Sequence, residues 1–95
     1  MRKLALIAVL SPVACAIVAP LSAHAASPDF CRFYADTAVN QVRAALSNPA
    51  CAGGATGARW TPEHRIHFDW CLGVPVPQAE AERAARTGYL RNCRG

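Results

Sequence analysis

The 95-residue sequence has no uninterrupted apolar run of the about 18–20 residues that a membrane-spanning helix needs. Its apolar stretches at residues 4–10 and 13–18 are broken by Pro12 and closed by Pro20, so a transmembrane anchor is not expected. Lysine is almost missing and occurs only at Lys3, while arginine supplies the other basic residues. A high-GC gene gives that bias without a functional cause. The positive surplus is small and dispersed, which excludes the clustered basic face that phosphate backbones require. No Ser or Thr sits in a nucleophile-like turn, and no internal repeat or low-complexity tract is visible. Ordinary hydrolase chemistry and repeat architectures therefore find no support, and an enzyme is not expected.

What is present begins with a leader. Arg2 and Lys3 precede the apolar segment, and Ala23-His24-Ala25 supplies a small-x-small cleavage signal, the features of a secretory signal peptide. Pro12-Val13-Ala14 is a poor approach to an acylated Cys15, so the expectation is cleavage after Ala25, with residues 1–25 as leader and 26–95 as one small domain. The leader holds two of the ten basic residues. The rest of the chain then has eight arginines against six acids. A domain of 70 residues buries only about 60% of its unfolded surface and commonly needs staples. Cys31, Cys51, Cys71 and Cys93 remain, an even set that reads as two disulfides in an oxidising compartment. The expected location is periplasmic or secreted.

Three helices are predicted. Ser27-Pro28-Asp29 is a capped helix start. From there Phe30, Cys31, Tyr34, Ala35, Ala38, Val39, Val42, Ala45 and Leu46 recur at helical spacing, opposite Arg32, Asp36, Asn40, Arg43 and Ser47. Residues 48–58 read as a flexible connector pinned by Cys51, with no helix. Thr61-Pro62-Glu63 reads as the start of a second helix ending at Gly73, with Ile66 and Trp70 one turn apart and Arg65 paired with Asp69. Val74-Pro75-Val76-Pro77 reads as an extended joint. A third helix follows from about Gln78 to Cys93, with Ala81, Ala85, Tyr89, Leu90 and Cys93 on its buried side and a Glu82–Arg86 pair. Helices of roughly 19, 11 and 16 residues joined this way suggest an all-α, up-down-up three-helix bundle. That topology brings Cys31 towards Cys71 at one end and Cys51 towards Cys93 at the other.

The stretch from Arg59 to Cys71 concentrates the chemistry: both tryptophans, and both histidines outside the leader. His64 and His67 stand i,i+3, a spacing that can share a metal. The zincin order needs i,i+4 with Glu directly after the first His, and Cys71 is wanted for a disulfide, so metal binding through His64 and His67 is only the weaker alternative. The two imidazoles project from one helix stripe, which does not place them on opposite sides of a scissile bond. Arg59 and Trp60, with Trp70, Tyr34 and Tyr89, could form an aromatic platform. The candidate interaction surface is therefore Arg59, Trp60, His64 and His67, with no catalytic residue, no metal and no cofactor expected.

The pattern Cys31-Arg32-x-Tyr34-Ala35-x-x-Ala38-Val39-x-Gln41, then Cys51, Arg59-Trp60, His67-x-x-Trp70-Cys71-Leu72 and Cys93 resembles a small cysteine-stapled helical domain of exported proteobacterial proteins. The resemblance spans the chain beyond the leader. It implies a compact exported helical domain and carries over no site residue. The expected function is non-enzymatic binding of an envelope or extracellular partner. The alternative is a secreted effector, or an inhibitor of an envelope or extracellular enzyme.

Overall fold

The computed structural model describes residues 24–94, and the leader expected over residues 1–25 falls outside it up to residue 23. The described residues are all-helical, with no strand among them. Four α-helices follow in order: α1 (Pro28–Leu46), α2 (Pro49–Ala52), α3 (His64–Leu72) and α4 (Val76–Cys93), with a 3₁₀ turn at Ala58–Trp60 between α2 and α3.

Helix α1 forms as its sequence dictates. The Ser27 hydroxyl accepts from the Phe30 amide at 3.2 Å, Pro28 fills the first turn, and Asp29 adds negative charge where the helix dipole is positive. Cys31, Tyr34, Ala35, Ala38, Val39, Val42 and Ala45 form its buried stripe. Phe30 is only partly buried, and Leu46 is exposed. Both α3 and α4 pack against α1.

The connector departs from expectation. Pro49–Ala52 closes a helical turn because Asn48 caps it, its side-chain oxygen accepting from the Ala50 amide at 2.9 Å. Small residues serve close packing here. A Cβ added at Gly54 would stand 2.5 Å from the Tyr89 hydroxyl, which donates to the Cys51 carbonyl. Gly57 turns the chain with φ 89°, a conformation that favours glycine. Helix α3 starts at His64 rather than at the Thr61-Pro62-Glu63 cap. Thr61 instead accepts the Glu63 amide at 3.2 Å in a turn before the helix. Helix α4 begins at Val76 rather than Gln78, because a proline in the first turn forfeits no intrahelical bond. Its buried residues are Ala79 and Arg86, while Ala81 is exposed and Ala85, Tyr89, Leu90 and Cys93 are half-buried.

Two disulfides staple this frame, Cys31–Cys71 with Cα atoms 5.5 Å apart and Cys51–Cys93 at 5.2 Å. Each is the centre of its own apolar cluster. Ala26, Cys31, Tyr34, Ala38, Cys71 and Ala79 make one. Val42, Ala45, Cys51, Ala55 and Trp60, with Tyr89 against them, make the other. Between the clusters, along both α1 and α4, lies a polar belt. Gln41 donates to the Arg83 carbonyl (3.1 Å) and Thr87 hydroxyl (2.9 Å) and accepts from Arg86 Nε (2.8 Å). The disulfides point to an oxidising, extracellular-type environment. Among the described residues no helix is long and apolar enough to cross a membrane.

Candidate functional site

The polar belt opens into a cavity of about 360 Å³ lined by Tyr34, Ala58, Arg59, Ile66, His67, Trp70, Glu82 and Arg86. Three separate segments build it. Helix α1 supplies Tyr34, the 3₁₀ turn and α3 supply Ala58, Arg59, Ile66, His67 and Trp70, and α4 supplies Glu82 and Arg86.

Arg86 is its centre and is completely buried. Its guanidinium donates from Nε to Gln41, from Nη1 to the Arg59 carbonyl at 3.3 Å, and from Nη2 to the Tyr34 hydroxyl at 2.8 Å. The expected Glu82–Arg86 pair is present only at 4.0 Å. Glu82 is held instead by Arg59, whose Nε and Nη2 reach its two oxygens at 2.8 and 2.7 Å. That bidentate grip favours the charged Arg59 guanidinium still further.

His67 is nearly buried and its Nε2 donates to the Thr61 carbonyl at 2.7 Å. Burial is the main force holding its imidazole below the ordinary value. The Arg86 and His64 charges add to that, against the pull of the Thr61 carbonyl and Glu82. Because the folded value lies below the unfolded 6.5, the unfolded chain takes up the extra proton as pH falls through this region. The stability due to neutral His67 is thus fully present above pH 6.5 and lost on acidification below it. Melting at about pH 5 should come at a lower temperature than at about pH 7.5. In His67→Gln, which keeps a donor for Thr61, the difference should shrink. Equal wild-type melting temperatures at the two pH values would contradict this.

The four residues singled out from the sequence do not form one surface. Arg59 and His67 meet in the cavity. Trp60 is a core wedge, 6% exposed, packed 4.9 Å from the Tyr89 ring. His64 faces a second, more open depression with Asp36, Val39, Asn40, Arg43 and Pro62, and its Nε2 lies 2.8 Å from Asp36. The expected aromatic platform splits the same way: Trp60 pairs with Tyr89 in the core, whereas Tyr34 and Trp70 stand 5.7 Å apart at the cavity. Among the described residues no three His, Cys, Asp or Glu side chains group to hold a metal ion.

Sequence reasoning missed Arg86, Gln41 and the role of Glu82. The available signal was indirect: Gln41 interrupts the apolar stripe of α1, and α4 has too few large apolar residues to pack without a long side chain. No family model, curated protein or solved structure matches the chain.

Proposed function

We propose that this chain is a non-enzymatic binding domain of the periplasm or extracellular space. Its long helices form an up-down-up bundle, and the Arg86 cavity is its ligand seat. One observation carries the reading. Ile66 and Trp70 are left 41% and 37% exposed at the cavity, in a domain whose buried apolar residues are mostly alanine and cysteine. Large apolar side chains beside fixed polar groups are the ordinary composition of a binding site. The signal-peptide pattern and the disulfides support the location. The separate tethering of His64 and His67 supports binding over catalysis.

The test is capture from envelope and culture-medium extracts by the oxidised protein, using wild type, Trp70→Ala, and Phe33→Ala as a control. Phe33 is 64% exposed on α1 and away from the cavity. Loss of an aromatic anchor costs about 2 kcal/mol, so Trp70→Ala should cut recovery of a specific partner roughly 30-fold, with Phe33→Ala unchanged. Equal recovery by both variants would contradict the proposed surface.

A further inference from the structure

The charges at the cavity do not cancel. Two guanidiniums, Arg59 and Arg86, share one carboxylate, Glu82, and no other acid lines the cavity. Arg59 takes both oxygens of that carboxylate, while Arg86 reaches one of them only at 4.0 Å. Arg86 is the buried member, with a side chain 0% exposed against 47% for Arg59. Buried charges are ordinarily paired, because removing an ion from water is costly. Here the buried one is left with neutral partners and a distant share of a carboxylate already held by another arginine.

The donor inventory points the same way. A guanidinium has five N–H groups, and Arg86 places one on Gln41, one on the Arg59 carbonyl and one on the Tyr34 hydroxyl. One hydrogen on Nη1 and one on Nη2 have no protein acceptor within hydrogen-bond distance among the described residues. The Tyr34 hydroxyl accepts from Arg86, so its own hydrogen remains for another acceptor. The cavity is thus short of negative charge and of acceptors. Its remaining wall is apolar, with Ile66, Trp70 and Ala58, which a bare inorganic anion would not use.

Building on the binding-site reading above, we propose that the cavity takes a carboxylate carried on an apolar or aromatic body, the Arg86 and Tyr34 side chains, 0% and 2% exposed without ligand, shifting toward the cavity to donate to the carboxylate, and the body resting on Ile66 and Trp70. Such a group occurs on free organic acids and at a peptide C-terminus beside a hydrophobic residue. The volume of about 360 Å³ lies at the lower end of the range that holds small ligands.

Calorimetric titration of the oxidised protein with 4-phenylbutyrate, its neutral amide, N-acetyl-Ala-Ala-Phe with a free or amidated C-terminus, and inorganic phosphate separates the possibilities. At least one carboxylate should bind with Kd below about 1 mM, and amidation should weaken that compound about tenfold or more, since charge-assisted bidentate bonds are lost. Whichever of phenylbutyrate and peptide binds more tightly identifies the source. Glu82→Gln removes the internal counter-charge and should tighten carboxylate binding several-fold, a gain that misfolding cannot imitate. Acid and amide binding equally would overturn the carboxylate claim but leave a cavity that binds apolar ligands. Phosphate binding as tightly as either acid would reduce the cavity to a bare anion site and also overturn it. No binding by any compound would overturn it too, and if Trp70→Ala still lost the extract partner, the binding reading itself would stand.

Discussion

Reduction of the two disulfides is expected to unfold the domain at 25 °C. Each bridge closes a long loop, spanning 40 and 42 residues of sequence, and loops of that length are stabilised by about 4 kcal/mol through lost chain entropy. The loops interlock, so together they contribute less than twice that value. A domain of this size has about 4–10 kcal/mol of stability in total. The apolar core cannot replace the staples: six of its buried members are Ala26, Ala35, Ala38, Ala45, Ala55 and Ala79, and the larger ones are Tyr34, Val39, Val42 and Trp60. Circular dichroism before and after reduction and alkylation reads this directly, with loss of most helical signal as the expected result. Removing one bridge, as in Cys51→Ala with Cys93→Ala, should lower the melting temperature by about 15–30 °C, taking about 4–8 °C per kcal/mol for a domain this small. A reduced protein that kept its helical signal would show that the core is stronger than its composition indicates.

Arg86→Met should destabilise the fold by about 2–4 kcal/mol, and the reason is what it leaves behind. Methionine fills much of the arginine stem's volume, so packing loss is modest. Left unpaired are the Gln41 side-chain oxygen and the Tyr34 hydroxyl, Tyr34 being only 2% exposed. Each stranded group costs about 1–3 kcal/mol. The Arg59 carbonyl belongs to an exposed residue and regains water. Relief of the desolvated charge offsets part of the loss, since buried charges are themselves costly. The sharper expectation concerns coupling: Tyr34→Phe should cost clearly less in the Arg86→Met background than in wild type, because its partner is already gone. Denaturant unfolding of the four proteins in the cycle measures this. Additive effects would mean that the Arg86–Tyr34 bond contributes nothing to the fold.

Helix α1 was legible in the sequence because one amphipathic stripe and one cap agree on the same bounds. The disulfide partners were legible as well, the expected pairs Cys31–Cys71 and Cys51–Cys93 being the ones bonded. Residues 48–58 were not. Their single helical turn, α2, starts from Asn48 capping ahead of Pro49, a local signal that the small residues after it outweigh, and is held by Tyr89 reaching the Cys51 carbonyl from α4, a contact that no local pattern records. Helix α4 misled for a different reason: alanines on its several faces look alike, and arginine is ordinarily a surface residue, so burying Arg86 requires knowing that Gln41 and Tyr34 await it.

The candidate site was half legible for the same reason. The stretch from Arg59 to Cys71 does contribute Arg59, Ile66, His67 and Trp70 to the cavity. Its densest-looking features disperse, however, with Trp60 in the core and His64 beside Asp36. What assembles the cavity is the approach of α4 and α1, residues 41 and 86 apart in sequence yet bonded in space. A polar belt between two apolar clusters also restricts how α4 can slide along α1, because a shift of one turn would strand the whole Gln41 network.

The proposed ligand seat requires Arg86 to be a buried, ligand-ready charge rather than an inert strut. The most direct measurement is the ¹⁵N-edited NMR signal of the Arg86 Nε–H during titration with 4-phenylbutyrate. Its bond to Gln41 and its burial should make this proton slow to exchange and visible in the free protein. The predicted result is a saturable shift of that signal together with the Trp70 indole N–H, leaving the Trp60 indole unmoved. A free-protein signal that exchanges rapidly with water, or a titration that shifts Trp60 and spares Arg86, would contradict it.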